Sequence, residues 1–315
     1  MFFLGNLKKY GNNYSRNREE NTMEKLNRFI EIVKDGIVEV LPKDFQGCTF
    51  EIKTMQKMDE EYTGMVVMRK NARTHVIINM DDWYDAYLEG TEIDDIIDEI
   101  ALLVQKEVPM QPLEWLQDYE QVKHRIYYRL YPEDRVTREL KNVPHRKICD
   151  LVLAYHILVQ DQNGALSSVL VRHEMLENYG ISEEQFQKDA EESTVHLFPE
   201  SVEQYGKDSD FYIITNKRNL NGASVLFYPG VLEKMAHIYG GTFMLIPSSI
   251  HEFFAISRKK YITCEELDEM VEKGNEEVLE QGDILLSTHG YVYDPDHGAL
   301  ETTRAYVERT GMHQI

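Results

Sequence analysis

Between Leu26 and Leu41, apolar residues recur at three- and four-residue steps: Leu26, Phe29, Ile30, Val33, Ile37, Val40 and Leu41. That spacing is one face of a helix over residues 24–41, and Pro42 cannot continue it. The period then changes. Three short β-rich runs near 48–56, 63–69 and 74–80, separated by polar turns, read as an antiparallel meander. Asp81 or Asp82 can cap a short helix through Leu88, which Gly90 ends. Thr91 with Asp94 opens a second helix, whose Ile93, Ile96, Ile97, Ile100 and Val104 share a face. Pro109 and Pro112 mark a boundary.

The second half alternates more often. Residues 126–131 and the continuous apolar run 148–159 read as strands, the second a central one. Ser182 with Gln185 forms a capping box for a helix to about Ser193. The polar stretch 200–210 looks disordered and precedes a strand at 211–214. A strand at 223–228, a helix at 231–239 stopped by Gly240-Gly241, and strands at 242–246 and 252–256 follow. Thr263 and Glu266 cap a last long helix with Leu267, Met270, Val271 and Val278 inward, before a final strand over 284–293. The fold class expected is α+β: helix, three-stranded antiparallel meander and two helices, followed by a larger mixed-sheet α+β subdomain. Residues 23–112 and 113–315 are the two subdomains.

Residues 1–22 differ from both. Asn6, Asn12, Asn13, Asn17 and Asn21 lie among Lys8, Lys9, Arg16 and Arg18 with no apolar period. This reads as a disordered arm, or an upstream extension before a start at Met23. The rest carries ample apolar surface, 42% of the chain, so a wholly disordered acidic protein is excluded. The formal charge is −21. That argues against coating nucleic acid or anionic lipid, which takes clustered Lys and Arg. Cys48, Cys149 and Cys264 are too widely spaced for a metal knuckle or a disulfide framework and suit a reducing cytosol. No apolar run approaches the ~20 residues of a spanning helix, so a cytoplasmic location without a membrane partner is expected.

Three blocks carry a family likeness. One runs from Thr74-His75-Val76-Ile77-Ile78-Asn79 through Trp83-Tyr84-Asp85-Ala86-Tyr87-Leu88-Glu89-Gly90 to Ile100. Another is Val143-Pro144-His145-Arg146 with Asp150-Leu151-Val152-Leu153. The most specific runs from Asn221-Gly222-Ala223-Ser224 through Gly240-Gly241 to Pro247-Ser248-Ser249-Ile250-His251-Glu252. Together they resemble an uncharacterised family of Clostridia-type bacteria, often carried with mobile-element genes, over roughly residues 23–290. The resemblance implies a mobile-element setting and no particular activity. The pattern departs at Gln56-Lys57-Met58-Asp59, where a lysine–asparagine–asparagine segment belongs.

Several constellations invite chemistry. Ser249, His251 and Glu252 offer a nucleophile, a base and a carboxylate. Against this, residues two apart on a strand share a face without being held in hydrogen-bond geometry, and a turn explains them equally. His289, Asp294 and His297 offer imidazole and oxygen donors to a divalent metal, although Asp294-Pro295-Asp296-His297-Gly298 also has the composition of a turn. Asp44 with Glu51-Ile52-Lys53 matches a short nuclease pattern, unless alternation leaves Glu51 and Lys53 on a solvated face. His145, Arg146 and Lys147 form a basic cluster able to meet phosphate, and Arg69, Lys70 and Arg73 another; such runs also pair with neighbouring carboxylates. Tyr127, Tyr128 and Tyr131 cluster, more in the manner of half-buried packing than of base stacking. No phosphate-binding loop is present, and no cofactor is assigned.

The negative charge concentrates on the helices at 92–107 and 264–280, where a basic protein partner is expected to dock. The function expected is that of a binding or accessory protein of a mobile-element-associated bacterial system. A metal-dependent hydrolase or nuclease is the first alternative. An acidic inhibitor that mimics DNA toward a DNA-acting enzyme is the second.

Overall fold

The computed structural model describes residues 7–45, 47–56, 58, 61–68, 75–105, 113–162, 165–206, 209–257, 262–280 and 285–313, with side chains from Glu24 onward except at 44, 56, 75, 162, 165, 166 and 277–280. Arg69, Lys70, Arg73, Pro109 and Pro112 lie outside them, as do the side chains of Asp44 and Val278. Contacts divide the chain into two compact units, Met1–Pro112 and Leu113–Ile315.

In the first unit, helix α1 (Leu7–Val40) starts upstream of its apolar period. The arm expected over 1–22 is therefore helical from Leu7. Once the packed turns supply a nucleus, each further residue fixed adds a hydrogen bond. Strands β1 (Thr49–Gln56), β2 (Glu61–Met68) and β3 (His75–Asn79) pair antiparallel in that order. Helix α2 (Met80–Leu88) is capped by Asn79 rather than by Asp81 or Asp82: the Asn79 side chain accepts the Asp81 N–H. Helix α3 (Ile93–Gln105) turns its Ile96, Ile97, Ile100 and Val104 stripe inward. These residues meet Phe29, Ile30, Val33 and Ile37 of α1 and Met65, Val67 and Ile78 of the sheet in one core. Gly36 permits the approach of α1 to α3, because a Cβ there would stand 2.4 Å from Ile97 Cδ1. Its helix-propensity penalty of about 1 kcal/mol is offset by that packing.

The second unit enters through α4 (Tyr119–Val122) and β4 (Ile126–Pro132), then α5 (Glu133–Val136). Strands β5 (His145–Ile148), β6 (Leu151–Gln162) and β7 (Ala165–Leu170) complete a four-stranded sheet centred on β6. The run expected as one strand from Ile148 is thus broken at Cys149 and Asp150. Cys149 has φ +55°, a left-handed conformation that folds β5 back on β6. Helices α6 (His173–Tyr179) and α7 (Glu183–Leu197) follow. Ser182 caps α7 by accepting the Gln185 N–H at 3.2 Å. Ser182→Ala should destabilise this unit by about 1 kcal/mol. A urea titration followed at Trp115, with Trp83→Phe as background, reads that loss, and an unmoved midpoint would contradict it.

A six-stranded sheet follows, in the order β13-β12-β10-β11-β9-β8. Its members are β8 (Glu200–Gln204), β9 (Phe211–Asn216), β10 (Phe243–Ser249), β11 (Glu252–Ser257), β12 (Tyr291–Asp294) and β13 (Ala299–Thr302). The stretch expected to be disordered from Glu200 holds β8, an edge strand whose polar side chains are partly open to water. The strand expected at 223–228 is a buried 3₁₀ helix, Gly222–Phe227. A six-residue apolar run has no period with which to separate the two states. Helices α8 (Val231–Tyr239), α9 (Cys264–Glu280) and α10 (Thr303–Thr310) complete the unit. The capping box of α9 forms as expected, Thr263 N–H to Glu266 at 2.8 Å and Glu266 N–H to Thr263 Oγ1 at 3.1 Å. Met270, expected inward, is 36% exposed. Of the final strand expected over 284–293, Ile284 lies outside the described residues, Leu285 to Ser287 are not strand, and the strand observed begins at Tyr291.

Every described strand pair is antiparallel, since most neighbours are joined by hairpins rather than crossovers. The protein is therefore α+β. Phe186 of α7, Tyr155 of β6, Leu226, Phe253 and Tyr291 share the main core between the two sheets. No described helix is long and apolar enough to cross a membrane.

Candidate functional site

The segment holding Ser249, His251 and Glu252 is the turn between β10 and β11, with a register shift between Pro247 and Ser249. Ser249 Oγ accepts the His251 N–H at 3.0 Å, so it faces backbone rather than the imidazole. His251 Nδ1 accepts the Asn221 N–H at 3.0 Å, which places the proton of the neutral ring on Nε2. The His251 carbonyl accepts the Thr215 hydroxyl at 2.8 Å, and the Ile250 carbonyl accepts the Ala223 N–H at 3.2 Å. Ser248 donates to Glu252 at 3.4 Å. The opposing loop is shaped for this meeting: Asn219 and Asn221 have φ of +51° and +52°. Asn216 holds the same loop by donating to the Leu220 carbonyl at 2.8 Å. The most family-like block is thus a clasp between two loops. Its serine and histidine are not joined as nucleophile and base.

His289, Asp294 and His297 do not converge either. Asp294 receives Arg309 at 2.9 Å and the Asp296 N–H at 3.1 Å, while its carbonyl takes the His297 N–H at 3.1 Å within the turn. His289 Nε2 instead lies 3.3 Å from Asp150 Oδ2, within ion-pair range but off the line of a hydrogen bond. Asp150, part of the second family-like block but not among the expected site residues, also accepts Tyr291 O–H at 2.7 Å and Ser287 O–H at 3.2 Å. A cavity of ≈ 470 Å³ opens beside it, lined by Glu133, Arg135, Thr137 and Thr288 among others. Among the described residues, no three His, Cys, Asp or Glu side chains gather as a metal would need.

Strand alternation also splits the basic cluster. His145 and Lys147 share one face of β5 and Arg146 takes the other. Arg146 pairs with Glu191 at 3.2 Å and Lys147 with Glu133 at 2.7 Å, while His145 Nδ1 donates to the Val143 carbonyl at 3.0 Å. Glu51 and Lys53 pair with each other at 2.5 Å on partly exposed side chains.

A different group is brought together on the sheet of β4 and β6. The side of β4 away from the main core carries Tyr127, Arg129 and Tyr131, opposite His156, Ala154 and Val152 of β6. Arg129 Nη2 donates to Tyr127 O at 2.7 Å and reaches Ser168 Oγ on β7 at 3.5 Å. The guanidinium carbon is 5.4 Å from the Tyr127 ring centre. Tyr131 and His156 Nε2 share a buried hydrogen bond of 2.8 Å, and Ser168 Oγ stands 3.5 Å from His156 Nδ1. Burial, and then the Arg129 charge, hold His156 well below its ordinary value, so its ring is neutral at pH 7. Arg129 Nε is sealed from solvent with no partner among the described residues. The signal available in the sequence was one arginine inside an aromatic strand. The tyrosines beside it also pack, Tyr127 against Phe198 and Tyr131 against His156.

A family model described as a family of unknown function (DUF5688) matches residues 26–207 and 201–295. The chain belongs to this family. Comparison with curated proteins and with solved structures gives no match in either. The DUF5688 match takes in the clasp, the Arg129 group and both acidic helices. On α3, Asp94, Asp95, Asp98 and Glu99 are exposed, and Leu102 one turn on is 59% exposed. On α9, Glu269, Glu272 and Glu276 are exposed around Met270. None of these seven carboxylates forms an ion pair with a described residue.

Proposed function

We propose that this DUF5688 member is a cytosolic binding protein that docks a basic partner on α3 and α9, as an accessory of a mobile-element-associated bacterial system. The setting rests on the resemblance. The three free cysteines suit a reducing compartment. The observation that carries the docking is Leu102, open to water inside a field of unpaired carboxylates. An apolar anchor ringed by one sign of charge gives a partner both burial and steering. Met270 amid the α9 acids repeats the arrangement on a smaller scale.

Salt distinguishes this from adventitious stickiness. A basic partner captured by the protein should be released between about 0.1 M and about 1 M salt, as the screening length falls from ~10 Å to ~3 Å. Leu102→Ala combined with Asp98→Lys and Glu99→Lys should abolish capture with unchanged circular dichroism. Capture that survives these changes overturns the reading. Release by added duplex DNA would identify the partner as a DNA-acting enzyme and the acidic faces as its mimic. The hydrolase alternative draws less support, because the hydroxyl and imidazole it needs are engaged in the clasp.

A further inference from the structure

In a chain with 55 acidic and 34 basic residues, counter-ions are plentiful. The arginines show it: Arg146 is paired with Glu191, Arg172 with Glu139, Arg218 with Asp161, and Arg309 with Glu301 and Asp294. Arg28, Arg125 and Arg135 have no ion pair with a described residue either, but they are exposed; among the described arginines withdrawn from water, Arg129 is the exception. It is one of the more enclosed of them, flanked on β4 by buried residues on either side, yet its described partners are neutral hydroxyls. Charges withdrawn from water are ordinarily paired with an opposite charge, because hydroxyls solvate a cation without neutralising it.

What surrounds Arg129 is a set of donors. The guanidinium has five N–H groups, and Nε–H has no partner among the described residues. Tyr127 accepts from Arg129 and keeps its own proton to give, as does Ser168. His156 adds no charge of its own. These groups come from three neighbouring strands, β4, β6 and β7, and together offer more N–H and O–H donors than the two oxygens of one carboxylate would take up. That arrangement suits a tetrahedral oxyanion, with acceptor oxygens in several directions, better than a flat carboxylate.

We propose that the Arg129–Tyr127–Ser168 group is a binding site for a phosphate group, either inorganic phosphate or a phosphate monoester. The site is separate from the acidic helices and stands or falls without them. Arg129 supplies the charge and a two-pronged contact, while the two hydroxyls close the remaining oxygens.

The test follows the Arg129 Nε–H resonance in the ¹⁵N-labelled full chain, assigned by its loss in Arg129→Lys. Inorganic phosphate and phosphoserine are titrated at constant ionic strength, with acetate and chloride as controls. A saturable shift with phosphate or phosphoserine, absent with the controls, is the expected result. Tighter binding of phosphoserine points to a monoester, and tighter binding of phosphate to the free ion. Arg129→Lys should weaken binding at least tenfold by removing the fork, and Tyr127→Phe should weaken it at an unchanged fold. No saturable shift with either phosphate overturns the proposal, as does equal binding by Arg129→Met. Should Arg129→Met not fold, undiminished binding by Tyr127→Phe with Ser168→Ala overturns it instead.

Discussion

Gly222→Ala should destabilise the second unit by about 3 kcal/mol, the upper range for forcing a methyl into a filled space. An added Cβ would stand 2.2 Å from Thr215 Oγ1, 2.5 Å from the His251 carbonyl and 2.8 Å from the Asn216 nitrogen. Two of these atoms are backbone, so no side-chain rotation relieves the clash. The atoms that must move include the Thr215 donor and His251 acceptor of the clasp, whose 2.8 Å bond is worth about 1 kcal/mol. Gly36→Ala is the contrast, since there the new methyl meets only the Ile97 side chain. The chain has two tryptophans, one in each unit, so Trp83→Phe leaves Trp115 to follow the second unit in urea. A Gly222→Ala midpoint within experimental error of the parent would show that the two loops are not held together as described.

Asp150→Ala should cost about 2–3 kcal/mol, chiefly through Tyr291. That side chain is fully buried, and a buried donor deprived of its acceptor loses its hydration without return. The His289 contact adds less, because the two side chains remain 29% and 36% exposed and are screened. Asp150→Asn preserves the shape and isolates the charge. Burial works against the Asp150 charge, but the close His289 imidazole and the Tyr291 hydrogen bond outweigh it and hold the carboxyl below its ordinary value. The carboxylate in turn raises His289, against the opposing effect of its burial.

A raised imidazole adds stability that is whole below its unfolded value, ~6.5, and is lost as pH climbs through the folded value. A lowered carboxyl adds stability that is whole above its unfolded value, ~3.9, and is lost as pH falls through the folded one. The pair should therefore contribute most between about pH 4 and about pH 6.5. The stability difference between the parent and Asp150→Asn, measured by denaturation across that range and beyond it on both sides, should peak there. A difference independent of pH would dissociate His289 from Asp150.

The elements legible in the sequence are those whose signals are local. Ser182 and the Thr263–Glu266 box mark helix starts because the capping groups lie within one turn of each other. The α3 stripe is legible because its period is sustained over three turns. Cys149 defeats this kind of reading, since nothing in its neighbours announces a left-handed residue, and the strand break follows from it. β8 is missed because an edge strand carries the same polar residues as a loop. Met270 follows the helical period yet lies on the surface, because the period fixes spacing and not which stripe finds a partner. At the candidate sites, Ser249 and His251 lie two residues apart, but the groups that engage His251, on Asn221 and Thr215, are distant along the chain. Arg129 is conspicuous only once the surrounding strands show that no described carboxylate reaches it.

The place of β9 in its sheet bears on how the molecule is made. It is held between β8, which precedes it, and β11, which is reached only after α8 and β10. On a ribosome, β8 and β9 emerge as a hairpin before β11 does. During that interval one edge of β9 presents open N–H and C=O groups, and the loop from Asn216 to Gly222 has nothing to grip. Arrival of the β10–β11 hairpin closes the edge and engages His251 in the same step. An interval in which this chain can join a stranger's strand therefore falls during its own synthesis, and it ends when Glu252 to Ser257 have emerged and paired with β9.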